Sequence, residues 1–150
     1  MPVNIPKLLL SIGICLGAGI IGSFFTVSAI PDWYAALNKP FFSPPNWIFG
    51  HVWTILYILM GISLYLVWTK KSIPTVFWIQ LILNAIWSMI FFGMKNPMLA
   101  FVNIIALWVA IVLTIKAFSK INKLASRLLW PYLAWVSFAT FLNLAIVFLN

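Results

Sequence analysis

Residues 33–57, WYAALNKPFFSPPNWIFGHVWTILY, break a chain that is otherwise almost continuously apolar. The stretch carries the only histidine (His51), three of the nine prolines (Pro40, Pro44 and Pro45) and three tryptophans, and the only acid, Asp32, stands just before it. A long aromatic, Pro-rich segment that leads into an apolar helix reads as a lid over something rather than as a plain connector. On this reading residues 33–45 form the cover, and residues 47–57 form the wall of whatever lies beneath.

The blocks on either side decide the fold class. The 150 residues are 65% hydrophobic and 7% charged, with a mean hydropathy of +1.12. Soluble domains carry about 25% charged residues, so a water-soluble fold is excluded. Charge-free windows of about 20 residues are long enough to cross hydrocarbon as helices. Five occur, at about 8–30, 47–68, 72–94, 97–115 and 128–149. The expected fold is an all-α membrane protein, a five-helix bundle forming one domain over residues 1–150. No cleavage pattern follows the first block, which is expected to remain as a span. Ser72 before Pro74 is expected to cap the third helix, and Asn96 before Pro97 the fourth. Pro131 implies that the fifth either starts late or kinks. Gly13-x-x-x-Gly17 and Ala18-x-x-x-Gly22 offer close helix approach, read first as packing within the chain and second as a dimer face.

Net charge is +8, from nine basic residues against one acid. Five spans place Lys7, Lys70, Lys71, Lys116, Lys120, Lys123 and Arg127 on one side of the membrane and only Lys39 and Lys95 on the other. The positive-inside rule then puts the N-terminus in the cytoplasm and the long first loop on the outer face. These cations contact anionic lipid; nucleic acid is not an expected partner, because no basic face exists for phosphates to lie on.

Polar residues inside the spans need explaining. Gln80, Asn84, Trp87 and Phe91 follow one another at helical spacing, as do Pro131, Trp135, Ala139 and Asn143, and Trp53, Tyr57 and Gly61. Gln80, Asn103 and Asn143 read as interhelical hydrogen-bond glue. Asn84 shares a face with Trp87, and an amide among aromatic walls suits a flat aromatic ligand; packing alone remains the competing account. Catalytic constellations are scarce. Asp32 is the single carboxylate, so paired acid–base chemistry is excluded, and His51 has no partner for a metal site. Cys15, alone in an apolar run, reads as inert.

Several pieces together carry a resemblance: Trp33-Tyr34, Lys39-Pro40, Pro44-Pro45, Gly50-x-x-Trp53, Gln80-x-x-x-Asn84 and Pro131-Tyr132-x-x-Trp135. In order and spacing, over essentially the whole chain, the sequence resembles the translocator protein / tryptophan-rich sensory protein family (TspO/MBR). The resemblance implies a five-helix bundle, often a homodimer, whose cavity under the first loop binds porphyrins (protoporphyrin IX or haem) and flat aromatic molecules, with no cofactor required. It implies ligand contacts at Trp53, Asn84, Trp87 and Trp135, with Ala139, Tyr57, Pro45 and Trp47 bordering the cavity. It also implies a second activity, light-dependent degradation of protoporphyrin IX, resting on Trp53 and Trp135. A structural or partner-modulating subunit is the third reading. The chain departs from the family's pattern at its C-terminus, where the Tyr and basic residue of a cholesterol motif are missing, which puts cholesterol binding in doubt. It departs also at Phe42, usually Trp, and at Asn103, commonly an acid. A prokaryotic plasma membrane is favoured over a mitochondrial outer membrane.

Overall fold

The computed structural model describes residues 2–150. Helix α1 covers Ile5–Ala29 and continues without a break through a π-helical turn, Ile30–Tyr34. After an irregular segment, α2 runs over Asn46–Trp68. Helix α3 covers Thr75–Ser88 and ends in a second π turn, Met89–Gly93, and α4 covers Pro97–Ser119. A short α5, Lys123–Leu128, precedes α6, Trp130–Leu149. Five segments are long and apolar enough to cross a membrane: Ile5–Tyr34, Asn46–Trp68, Thr75–Gly93, Pro97–Ser119 and Lys123–Leu149. The chain is therefore a five-span helical membrane protein.

Local chemistry explains where the helices begin. Asn4, Asn96 and Asn122 each accept a hydrogen bond from the backbone N–H three residues on, at 3.2, 3.1 and 3.0 Å, which satisfies donors that the first turn leaves orphaned. Ser72 does not act as a cap. Ile73 precedes a proline and is disfavoured from helical backbone, so α3 starts only at Thr75, too far on for the Ser72 hydroxyl. Pro131 sits at the start of α6, behind a break at Leu129. Pro31 lacks the N–H that would continue the α-helical ladder, and there α1 widens into its π turn.

Helix α1 packs between α2 and α3, α3 against α4, and α4 against α6, while α5 bridges α2 and α4. Gly61 brings α2 onto the backbone of α1, since a methyl group there would lie 2.5 Å from Ile12 Cα. Gly19 accepts the Tyr57 ring, and Gly22 accepts Ser88. Gly13 and Gly17 face open space. Packing within the chain thus accounts for the Ala18/Gly22 pair but not for Gly13/Gly17. The bundle is solid at the end that carries most of the basic residues, where Leu64, Val67, Phe77, Phe118 and Ala125 are fully buried and the Phe77 and Phe118 rings stack at 5.7 Å. At the opposite end it is hollow.

Candidate functional site

The hollow end holds a cavity of about 480 Å³ to which all five spans contribute. That volume lies within the range of about 300–1,000 Å³ typical of small-molecule sites. On α2 the periodicity Asn46, Phe49/Gly50, Trp53/Thr54, Tyr57 turns one stripe inward. On α3, Asn84, Trp87 and Ser88 face the same space, and the π turn adds Phe91 and Phe92. Helix α6 supplies Trp135, Ala139, Leu142 and Asn143. The rings form ordered walls. Trp53 stacks on Tyr57 with centroids 5.6 Å apart, Trp87 stacks on Phe91 at 4.8 Å, and Trp135 meets Phe49 edge-on at 5.9 Å.

The polar groups at the cavity floor are mostly committed to one another. Tyr57 Oη donates to Asn84 Oδ1, and Asn84 Nδ2 donates to Tyr132 Oη at 2.7 Å. Tyr132 Oη in turn donates to Gln80 Oε1 at 2.8 Å, and Gln80 Nε2 reaches Met60 Sδ at 3.6 Å. Trp87 Nε1 donates to Asn143 Oδ1 at 3.0 Å, while Asn143 Nδ2 donates to the Pro97 carbonyl at 2.9 Å. Asn103 Nδ2 donates to the Leu83 carbonyl at 3.0 Å. Gln80, Asn103 and Asn143 are therefore interhelical ties. Asn84 is a tie as well as a wall, because both ends of its amide are already paired.

The indole N–H of Trp135 is buried and has no hydrogen-bond partner. A buried donor left unpaired costs about 1–3 kcal/mol. Among the described residues, no group of three His, Cys, Asp or Glu side chains could hold a metal ion.

Of the expected contacts, Trp53, Tyr57, Asn84, Trp87, Trp135 and Ala139 come together on the cavity, and Pro45 and Trp47 do not. Trp47 is 67% exposed, and Pro45 is exposed as well. The reason is helical phase: α2 begins at Asn46, and Trp47 falls on the outward side, one residue off the inward stripe. His51 shares that outward side. It is exposed, its Nδ1 lies 2.8 Å from the Trp47 carbonyl, and it lines none of the cavity. Pro131 is exposed too, so the buried stripe of α6 starts at Tyr132.

The loop also differs from expectation. Trp33 and Tyr34 belong to the end of the first span, and Tyr34 lines the cavity. The irregular segment, residues 37–45, lines none of it. That segment is fastened to the end of α6: Asn38 N and Nδ2 donate to Asn150 Oδ1 at 3.0 Å and the Leu149 carbonyl at 3.2 Å. Asn150 Nδ2 returns a bond to the Asn38 carbonyl at 2.9 Å. Lys39 Nζ lies 4.6 Å over the Tyr34 ring, and Phe42 meets Phe138 at 6.2 Å. Sequence reasoning missed Phe49 and Gly50, although both sit one turn before Trp53 and could have been read from it. It missed the α1 wall because small residues there (Gly19, Gly22, Ser23) carry no signal beyond helix packing.

Comparison with known proteins is consistent along the whole chain. The model of the TspO/MBR family matches residues 11–149. The chain is 48% identical to "Tryptophan-rich protein TspO" of Archaeoglobus fulgidus, covering 99% of both chains. It is 47% identical to the protein of that name from Chlorobaculum tepidum, covering 100% of this chain and 99% of the other. The human "Translocator protein" is 38% identical, with 95% of this chain and 88% of that one covered.

Proposed function

The chain belongs to the TspO/MBR family, and on that premise we propose that it binds porphyrins in the bundle cavity and serves their sensing, transport or regulation. The observation that carries the reading is a hollow walled by Trp53, Trp87, Phe91 and Trp135. Stacked aromatic walls match a flat macrocycle. The names of relatives, "Translocator protein" and "Tryptophan-rich sensory protein", are compatible with such a role. Prokaryotic sources of the relatives at 47–48% identity favour a prokaryotic plasma membrane. An interior left hollow counts against a purely structural subunit, which would gain packing by filling it.

Protoporphyrin IX titrated into the purified protein tests the proposal. Wild type is expected to shift the porphyrin absorbance band saturably, and the Trp53→Leu/Trp135→Leu double variant to weaken binding by about tenfold or more, the equivalent of about 1.4 kcal/mol. An equal shift in both proteins contradicts it. The Trp53–Tyr57 stack, with Tyr132 edge-on to Trp53 at 6.2 Å, favours one further reading. Trp53 and Tyr57 border the cavity. An electron passes from the Trp53 ring to the photoexcited porphyrin and on to dioxygen as superoxide. The porphyrin then re-reduces the indole radical cation, and superoxide adds to the porphyrin radical cation so formed, so that dioxygen is the net oxidant and the macrocycle the net reductant. Illumination in air should then yield a discrete product that the double variant does not form; featureless bleaching at equal rates contradicts that activity.

A further inference from the structure

We propose that the cavity is loaded sideways from the bilayer, through a slot between α1 and α2, and that its ligands are planar molecules dissolved in the leaflet at the lid end. The inference rests on the porphyrin-class reading of the cavity and adds where the ligand comes from.

The exposure of the lining residues locates the opening. Every lining residue on α3, α4 and α6 is buried or half-buried, while the exposed ones all lie on α1 and α2: Ile20, Ser23, Val27, Asn46, Gly50 and Thr54. The α1 set is spaced three and four residues apart and the α2 set four and four, so each forms one edge of its helix. Two facing edges make a slot. Its lower limit is set where the helices close on each other, at Gly61 against Ile12 and Gly19 against the Tyr57 ring. Higher up the helices part, and a methyl group on Gly50 would meet nothing within 4 Å.

Both edges lie within apolar spanning segments, so the slot faces hydrocarbon over most of its height. Its hydroxyls suit that position. Ser23 Oγ donates to the Ile20 carbonyl and Thr54 Oγ1 to the Gly50 carbonyl, both at 2.7 Å, so neither presents an unpaired polar group to lipid. Ile20 and Val27, 58% and 68% exposed, leave the lips apolar. Residues 37–45, by contrast, line none of the cavity and are tied to the C-terminal end of α6 through Asn38 and Asn150. A sideways path delivers what partitions into lipid and screens out free polar metabolites.

Stopped-flow mixing of protoporphyrin IX with the protein in phosphatidylcholine/phosphatidylglycerol nanodiscs tests this. Filling the slot with Gly50→Phe or Thr54→Phe is expected to slow association and dissociation together, by about tenfold, as narrowing a passage does and weakening a site does not. Releasing the loop with Asn38→Ala plus Asn150→Ala is expected to leave both rates unchanged. In unaltered protein, raising the lipid-to-protein ratio at fixed porphyrin is expected to slow association in proportion, because the porphyrin is diluted in the bilayer; this measurement needs no variant to fold. Faster rates on releasing the loop, or association indifferent to both lipid ratio and slot filling, overturn the sideways path. No saturable binding by wild type overturns the porphyrin reading itself, and the path with it.

Discussion

At the scale of single residues, Asn84 both lines the cavity and ties helices together. Its spacing from Trp87 places it on the cavity, but its amide spans two tyrosine hydroxyls on different helices. Asn84→Leu therefore strands the Tyr57 hydroxyl, whereas Tyr132 keeps its bond to Gln80. Thermal unfolding in detergent should show a loss of about 1–3 kcal/mol for this variant; an unchanged midpoint would mean that the tie contributes nothing. The glycines make a sharper pair. Gly61→Ala drives a methyl group into the Ile12 backbone, and overpacking of this kind costs about 1–3 kcal/mol, while Gly17→Ala enters open space and should cost nothing measurable. Comparable melting points for the two variants would refute the α1–α2 approach. Neither difference was legible beforehand. Both glycines lie in apolar helices, and only the neighbour across the interface distinguishes them.

At the scale of elements, the spans themselves were legible because missing charge over about 20 residues has one physical cause, the hydrocarbon. Their ends were less so. Lack of charge marks the depth of the membrane, not the last helical hydrogen bond. Helix α4 thus runs past Lys116 to Ser119, and the first span runs past Pro31 to Tyr34. Asn96 was recognisable as a cap from the proline after it; Asn122, with no such flag, was not. Its side chain holds the start of α5, and α5 is pinned to α2 by Ser63 Oγ donating to the Ala125 carbonyl at 2.7 Å. Asn122→Ala should cost about 1 kcal/mol, read as faster hydrogen exchange confined to α5 and its flanks. The loop supplies a second test. With Asn38→Ala and Asn150→Ala, amides of residues 37–45 should exchange faster while those lining the cavity stay as protected as before. Matching acceleration at Trp53 and Tyr57 would show that the loop holds the cavity together after all.

At the scale of the whole molecule, the bundle is divided along its length. One end is packed solid around Phe77 and Phe118, and the other is hollow, with tryptophans brought from α2, α3 and α6. The division follows from composition. Leu, Val and Phe interdigitate at the solid end, whereas the large rigid rings at the other stack in pairs and leave a gap that their shapes do not fill. The two π turns lie at that end as well, and they turn Tyr34, Phe91 and Phe92 toward one another, with Phe91 and Phe92 4.8 Å apart. The central claim is that a porphyrin occupies this gap. An experimental structure of the protein soaked with protoporphyrin IX tests it most directly. The account predicts macrocycle density between Trp53, Trp87 and Trp135. Density confined to the outer surface of the bundle, with the cavity unchanged, would contradict it.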